Sequence, residues 1–331
     1  MTSSVTERAE AFVGSHLPEA RGLGTVLADL LDEPDQFIVA LTDGFRRLAD
    51  EEYAAEQARV APGGAEVIGV RWPLIRATAR QLRQPLRESS SATAISLAQR
   101  LAGESIREVR LFAHLLLARA LPDDPERAWQ VMRRLARVAT DWICIDDLAE
   151  LTARGVIQES FRWAELEQLV YSAHPLERRL VGATLARLPY ELPPYRRQDL
   201  PAERGLELIG TLMGDADPWV QKALGWALRS WVQVDQAKTA TFLRREADHA
   251  AATGDGNRAW VVRDALGVQP PAVAAEIRLR VGTVRRHADA PDTSEAGTTS
   301  AAFRAGTWSQ AAGDPGVTQQ QGERQQRRTP A

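Results

Sequence analysis

Cysteine is almost absent. Cys144 is the single one in 331 residues, which excludes an intrachain disulfide framework, a multi-cysteine zinc site and a redox pair. The five histidines, His16, His114, His174, His249 and His287, are scattered without metal-ligand spacing, so neither a metal nor a cofactor is expected. Long apolar runs are missing too: none reaches the roughly 18 residues that a membrane-spanning helix needs. The start, Met1-Thr2-Ser3-Ser4-Val5-Thr6-Glu7-Arg8, lacks a signal-peptide core. The expectation is a cytoplasmic protein without membrane contact. Lysine is equally scarce, since of 41 basic residues only Lys222 and Lys238 are not arginine.

What is present is an ordinary globular composition, 44% hydrophobic and 26% charged, with a formal charge of -3. That total hides an asymmetry. Residues 1–70 hold 5 basic and 13 acidic side chains, whereas residues 71–140 hold 13 and 6. Phosphate attraction follows local charge, so the basic middle permits a polyanion partner that the total argues against.

Apolar residues recur at helical spacing nearly throughout, as in Ile106, Val109, Leu111, Leu115, Leu116 and Ala118, while alternating strand patterns are almost lacking. The strand-like Phe37-Ile38-Val39-Ala40-Leu41 sits inside a longer helical pattern opened by Pro34-Asp35. The class is all-α. Short breakers such as Pro62-Gly63-Gly64, Pro122-Asp123-Asp124-Pro125 and Gly254-Asp255-Gly256 separate the helices with a loose period near roughly 40 residues. This rhythm fits stacked helical pairs in a solenoid, with a compact orthogonal bundle as the alternative. The pattern divides the chain into an acidic helical extension (1–66), a helical body (67–281) and a Thr, Ser, Gly and Gln-rich tail (282–331) that reads as disordered.

The most informative segment runs from Asp217-Pro218 to Trp231. Val220, Ala223, Leu224, Ala227, Leu228 and Trp231 form one stripe, which is core. Trp219, Lys222, Trp226 and Arg229 form a second, adjoining stripe of two indoles and two cations. Such a line suits sugar, base and phosphate contacts, and it also arises at a solvent boundary where long cations lie over their neighbours. In Asp141-Trp142-Ile143-Cys144-Ile145-Asp146, a carboxylate stands one turn from an indole, the pattern of either a site or a boundary pair. In the helix opened by His174-Pro175, Arg179, Gly182, Ala183 and Ala186 share a stripe of mostly small side chains, which admits a ligand or a tightly packed helix.

These segments resemble the AlkD-type, HEAT-repeat DNA alkylation-repair glycosylases. The most specific string is Trp219-Val220-Gln221-Lys222-Ala223-Leu224-Gly225-Trp226-Ala227-Leu228-Arg229, joined in order by Trp142-x3-Asp146, Arg178-Arg179 and Gly69-Val70-Arg71-Trp72-Pro73-Leu74-Ile75-Arg76. The resemblance spans roughly residues 69 to 268. It implies a HEAT-like α-solenoid of stacked antiparallel helix pairs with a concave DNA-binding face. It further implies hydrolysis of the N-glycosidic bond of cationic N3- or N7-alkylated purines in double-stranded DNA without base flipping, one branch of the family accepting bulky adducts. By position, Asp146 matches the catalytic aspartate, Trp142 and Trp226 the aromatics flanking the deoxyribose, and Arg179 the supporting arginine, with Trp219 a nearby aromatic.

Lys222, Arg229, Arg178, Arg76 and Arg107 are then candidate DNA contacts, with Arg71, Arg80 and Arg110 as weaker ones. The sequence departs from the family at Ile143, where a polar residue is common, and at Leu176, where a tryptophan often stands. A bifunctional lyase needs an amine, and with lysine so scarce a monofunctional hydrolase fits better. No obligate protein partner is expected. The acidic first segment motivates the alternative, a noncatalytic HEAT scaffold for DNA or protein.

Overall fold

A computed structural model describes residues 4–63 and 65–304. Among the described residues seventeen α-helices run in order: α1 Val5–Ala28, α2 Pro34–Arg47, α3 Glu51–Val60, α4 Trp72–Gln81, α5 Arg83–Glu88, α6 Ser91–Leu101, α7 Arg107–Ala120, α8 Pro125–Val138 and α9 Trp142–Gln158. They continue as α10 Arg162–Leu169, α11 Pro175–Glu191, α12 Ala202–Leu212, α13 Pro218–Trp231, α14 Gln236–Thr253, α15 Gly256–Ala265, α16 Pro271–Val281 and α17 Glu295–Arg304. Among the described residues there is no strand, only the isolated bridges Ala49 to Val70 and Glu66 to Ile106. The strand-like stretch 37–41 is helical, within α2. No helix among the described residues is long and apolar enough to cross a membrane.

The chain is an all-α solenoid. Each of α6, α8, α10, α12 and α14 packs on the helix that follows it, and the followers α7, α9, α11, α13 and α15 pack side by side in one row. An aspartate N-cap followed by a helix-compatible first turn starts several of them: Asp124 for α8, Asp141 for α9, Asp217 for α13 and Asp255 for α15 each accept from backbone N–H groups that have no partner within the helix. Proline at the first helical position of α8, α11, α13 and α16 supplies the required φ where no N–H is needed.

The tightest packing in the row joins α11 to α13. A Cβ on Gly182 would sit 2.9 Å from the Cβ of Ala223, so the small-residue stripe of α11 serves helix packing rather than a ligand.

Two boundaries differ from those drawn in the sequence. The acidic extension is continuous with the body: Leu23, Leu27, Phe37, Leu41 and Phe45 belong to the same core as Leu74 and Phe112, and Thr78 Oγ1 donates to the Ala20 carbonyl across 3.0 Å. The part of the expected disordered tail that is described is not free chain. Thr293 N donates to the Gly214 carbonyl at 3.1 Å, Ser294 and Ala296 are buried, and α17 rests on α12. Polar anchoring of this kind leaves no apolar periodicity to read. The glutamine- and arginine-rich run at 319–328 lies outside the described residues.

Candidate active site

The site begins with the cap of α9. Asp141 Oδ1 accepts from Ile143 N at 3.0 Å and Cys144 N at 3.1 Å, which fixes the first turn and sets Trp142 and Asp146 one turn apart on its edge. From α11, Arg179 meets Asp146 with two parallel bonds, Nε to Oδ1 at 3.0 Å and Nη2 to Oδ2 at 2.7 Å. This fork-to-fork pair fixes the carboxylate in both position and plane. The remaining Arg179 nitrogen, Nη1, donates to the Trp219 carbonyl at the start of α13, and its guanidinium carbon lies 5.4 Å from the Trp142 ring centre. Three consecutive helices of the row are thereby tied at one point.

Trp142 and Trp219 stack with ring centres 5.9 Å apart and planes 28° from parallel. Lys222 is exposed and places its ammonium 4.8 Å from the Trp219 ring centre. The Trp142 indole N–H reaches the Val60 carbonyl at 3.3 Å, so the end of α3 also braces the site. Trp226, two turns along α13 from Trp219, is half-buried against the core. It joins the cluster through Arg187, whose guanidinium lies 5.3 Å from its ring and whose charge acts on Asp146. Arg187 was not singled out in the sequence. Its only signal there was a place two turns after Arg179 on the same helix.

Burial pushes the Asp146 carboxyl above its ordinary value of 3.8, while Arg179 and Arg187 oppose the shift and Asp147 adds to it. Its side chain keeps 19% of its surface, so the carboxylate is largely buried but reachable. Cys144, in the same turn, is no nucleophile, because burial above all, with the neighbouring Asp141 charge, drives its thiol pKa upward. Among the described residues no group of three or more His, Cys, Asp or Glu side chains could hold a metal ion.

A largely buried, clamped carboxylate beside stacked indoles is suited to developing positive charge. A model of the DNA alkylation repair enzyme family matches residues 41–266. The chain belongs to that family. No curated protein matches it. The family match takes in α9, α11 and α13 whole, hence every residue of the cluster, and it implies that this chain acts on DNA in alkylation repair.

For a DNA-acting enzyme, the disposition of its cations matters most. Arg107 is corrected: it is 3% exposed, donates from Nε to Asp141 at 3.0 Å and from Nη2 to the Ala61 carbonyl at 2.7 Å, and cannot reach a phosphate. Arg178 is corrected likewise, because its fork closes on the fully buried Asp215 at 2.7 and 3.2 Å. This also separates the two adjacent arginines, Arg179 serving the site and Arg178 the frame. Arg229 is engaged by the side chain and carbonyl of Asp264, Arg71 by Asp50, and Arg110 is buried beside Thr140.

Arg76 and Arg80 remain exposed. With Arg83 and Arg87, which sequence reading passed over, they line an open groove of about 380 Å³ floored by Leu86, Leu115 and Ala118. The spacing of four, three and four residues was the available signal, running across the junction of α4 and α5.

Proposed function

We propose that this family member is a monofunctional DNA glycosylase that hydrolyses the N-glycosidic bond of cationic N3- or N7-alkylated purines in duplex DNA while the base stays stacked. The observation that carries the reading is the Asp146 carboxylate, held bidentately by Arg179 next to the Trp142 and Trp219 rings. Alkylation makes the base a cationic leaving group. As its bond to the sugar breaks, the bonding electrons go to the base, which departs neutral, and positive charge moves to the sugar. An anion fixed nearby stabilises that charge without reorganising.

Arg179 uses one lone pair on each Asp146 oxygen, and the others can accept from a water. That water's oxygen adds to the sugar carbon, and its proton passes to the carboxylate or to solvent. The indole faces add cation-π attraction on the order of 1 to 2 kcal/mol when desolvated. Lys222, the only lysine near the cluster, is exposed against Trp219, a place that suits its charge to a phosphate rather than to the burial that Schiff-base lysines use.

The reading predicts a pH dependence. The anion is the active form, so activity is retained at neutral pH and lost as pH falls through the raised Asp146 pKa, which puts the acid limb above 3.8. A bound cationic lesion favours the ionised carboxyl, so the limb in kcat should lie at lower pH than the limb in kcat/KM. Single-turnover and steady-state rates of base release across pH 4 to 8 check this. The prediction fails if both limbs sit at one pH or persist unchanged in Asp146→Asn.

The function itself is tested by incubating methylated duplex DNA with the wild-type chain and separating free bases. Release of 7-methylguanine supports the glycosylase. Binding without release returns the noncatalytic scaffold.

A further inference from the structure

Beyond the family match, residues 282–294 run back over the row of helices instead of leaving it. The backbone of Arg285 and Arg286 lies directly on the first residue of α15, where a Cβ on Gly256 would come 2.2 Å from the Arg285 carbonyl oxygen. Only glycine permits that approach. Farther on, Asn257 Nδ2 donates to the Pro291 carbonyl at 3.2 Å, and Thr293 Oγ1 donates to Asp255 at 2.6 Å. The segment is thus pinned at both ends of its crossing.

What it carries is basic. Arg286 Nη1 donates to Gln221 Oε1 at 2.7 Å, beside Lys222 on α13, and its guanidinium carbon lies 5.4 Å from the Trp260 ring centre on α15. Arg285 and Arg286 are both exposed. Arg285 lies close enough to Arg263 for its charge, after burial, to push the Arg263 guanidinium below its ordinary range. Arg263 itself donates to the Gly282 carbonyl at 3.0 Å. Among the described residues no carboxylate forms an ion pair with Arg263, Arg285 or Arg286. Many arginines of the frame are answered by acids, as Arg178 by Asp215 and Arg258 by Asp255 and Glu246. Like charges held together by an anchored backbone, with an aromatic face beneath one of them, are the makings of an anion site.

We propose that residues 282–287 form a phosphate-binding strap, in which Arg285 and Arg286, together with Arg263 and Trp260, hold the sugar-phosphate backbone of duplex DNA at the α15 end of the site row. The inference rests on the reading of the chain as a duplex-DNA enzyme, and it adds a contact outside the family-matched residues. Arg76 and Arg80 on α4 take the opposite end of the row, with α7, α9, α11 and α13 between, so a duplex held at both ends crosses the Asp146 cluster.

The test is the affinity of the full chain for an undamaged, fluorescein-labelled duplex, read by anisotropy against salt. Arg285→Ala/Arg286→Ala should bind roughly 10- to 100-fold more weakly at low salt, with the slope of log K against log salt flatter by about two. Arg285→Lys/Arg286→Lys should restore the slope, since charge alone sets it, and both variants should keep the wild-type circular dichroism. Unchanged affinity and slope in the alanine variant, with wild type binding steeply, overturn the strap alone. Absence of salt-dependent binding by wild type overturns the duplex-DNA reading and the strap with it.

Discussion

Asp146→Asn is expected to release 7-methylguanine from methylated duplex DNA roughly 10- to 1000-fold more slowly than wild type, because a leaving group that already carries its charge leaves a smaller barrier for the enzyme to lower than a neutral base would. The substitution keeps the shape of the side chain and one acceptor for Arg179, and replaces the charge and the second acceptor with an NH2 group. Arg179 would retain its bond to the Trp219 carbonyl and its place beside Trp142. Affinity for undamaged DNA should therefore hold within a few-fold, and the loss should appear in the single-turnover rate rather than in binding. The Trp142 and Trp219 pair and the proposed phosphate contacts should keep some catalysis in the variant by orientation and cation-π attraction. Full activity in Asp146→Asn would remove the carboxylate from its assigned role.

The largest effect on stability should come from Arg107. Its partner Asp141 is fully buried and caps α9 with its other oxygen. Arg107→Ala strips that buried charge of its counter-ion and leaves the Ala61 carbonyl without its donor. Breaking a buried pair by removing one partner costs about 3 to 5 kcal/mol, far more than deleting an exposed pair. The midpoint of chemical denaturation should fall accordingly. Activity should fall with it, because the first turn of α9 sets both Trp142 and Asp146. DNA affinity of the folded fraction should be close to wild type, which separates a structural arginine from a phosphate ligand. A stable Arg107→Ala protein with a flatter salt slope would reverse the assignment.

The parts of this molecule that repeat with the helical period were open to reading in the sequence. The α13 stripe of Trp219, Lys222, Trp226 and Arg229 could be drawn because each step follows from 3.6 residues per turn. Its first three members do line the edge of α13, whereas Arg229 turned to Asp264. The meeting of Asp146 with Arg179 could not be drawn that way. The two stand 33 residues apart, and only the order of motifs shared with a family pointed to both.

Arginines on amphipathic helices were the weakest signal. Arg107, Arg178 and Arg76 look alike in sequence, yet two are locked to buried aspartates 34 and 37 positions away and one is exposed. A charge does not reveal from its own neighbourhood whether a distant acid will answer it. The strap was missed for a related reason. Glycine at 256 and the polar anchors Asn257 and Thr293 hold it through close approach and hydrogen bonds, neither of which leaves a hydrophobic pattern.

In the proposed function, Asp146, clamped by Arg179 among indole rings, makes this solenoid a hydrolase of cationic glycosidic bonds. Chromatographic measurement of the bases freed from N7-methylated duplex DNA by excess wild-type chain tests it most directly. Free 7-methylguanine should appear faster than spontaneous depurination, with an intact strand that breaks only on alkaline treatment. No release above the spontaneous rate would contradict it.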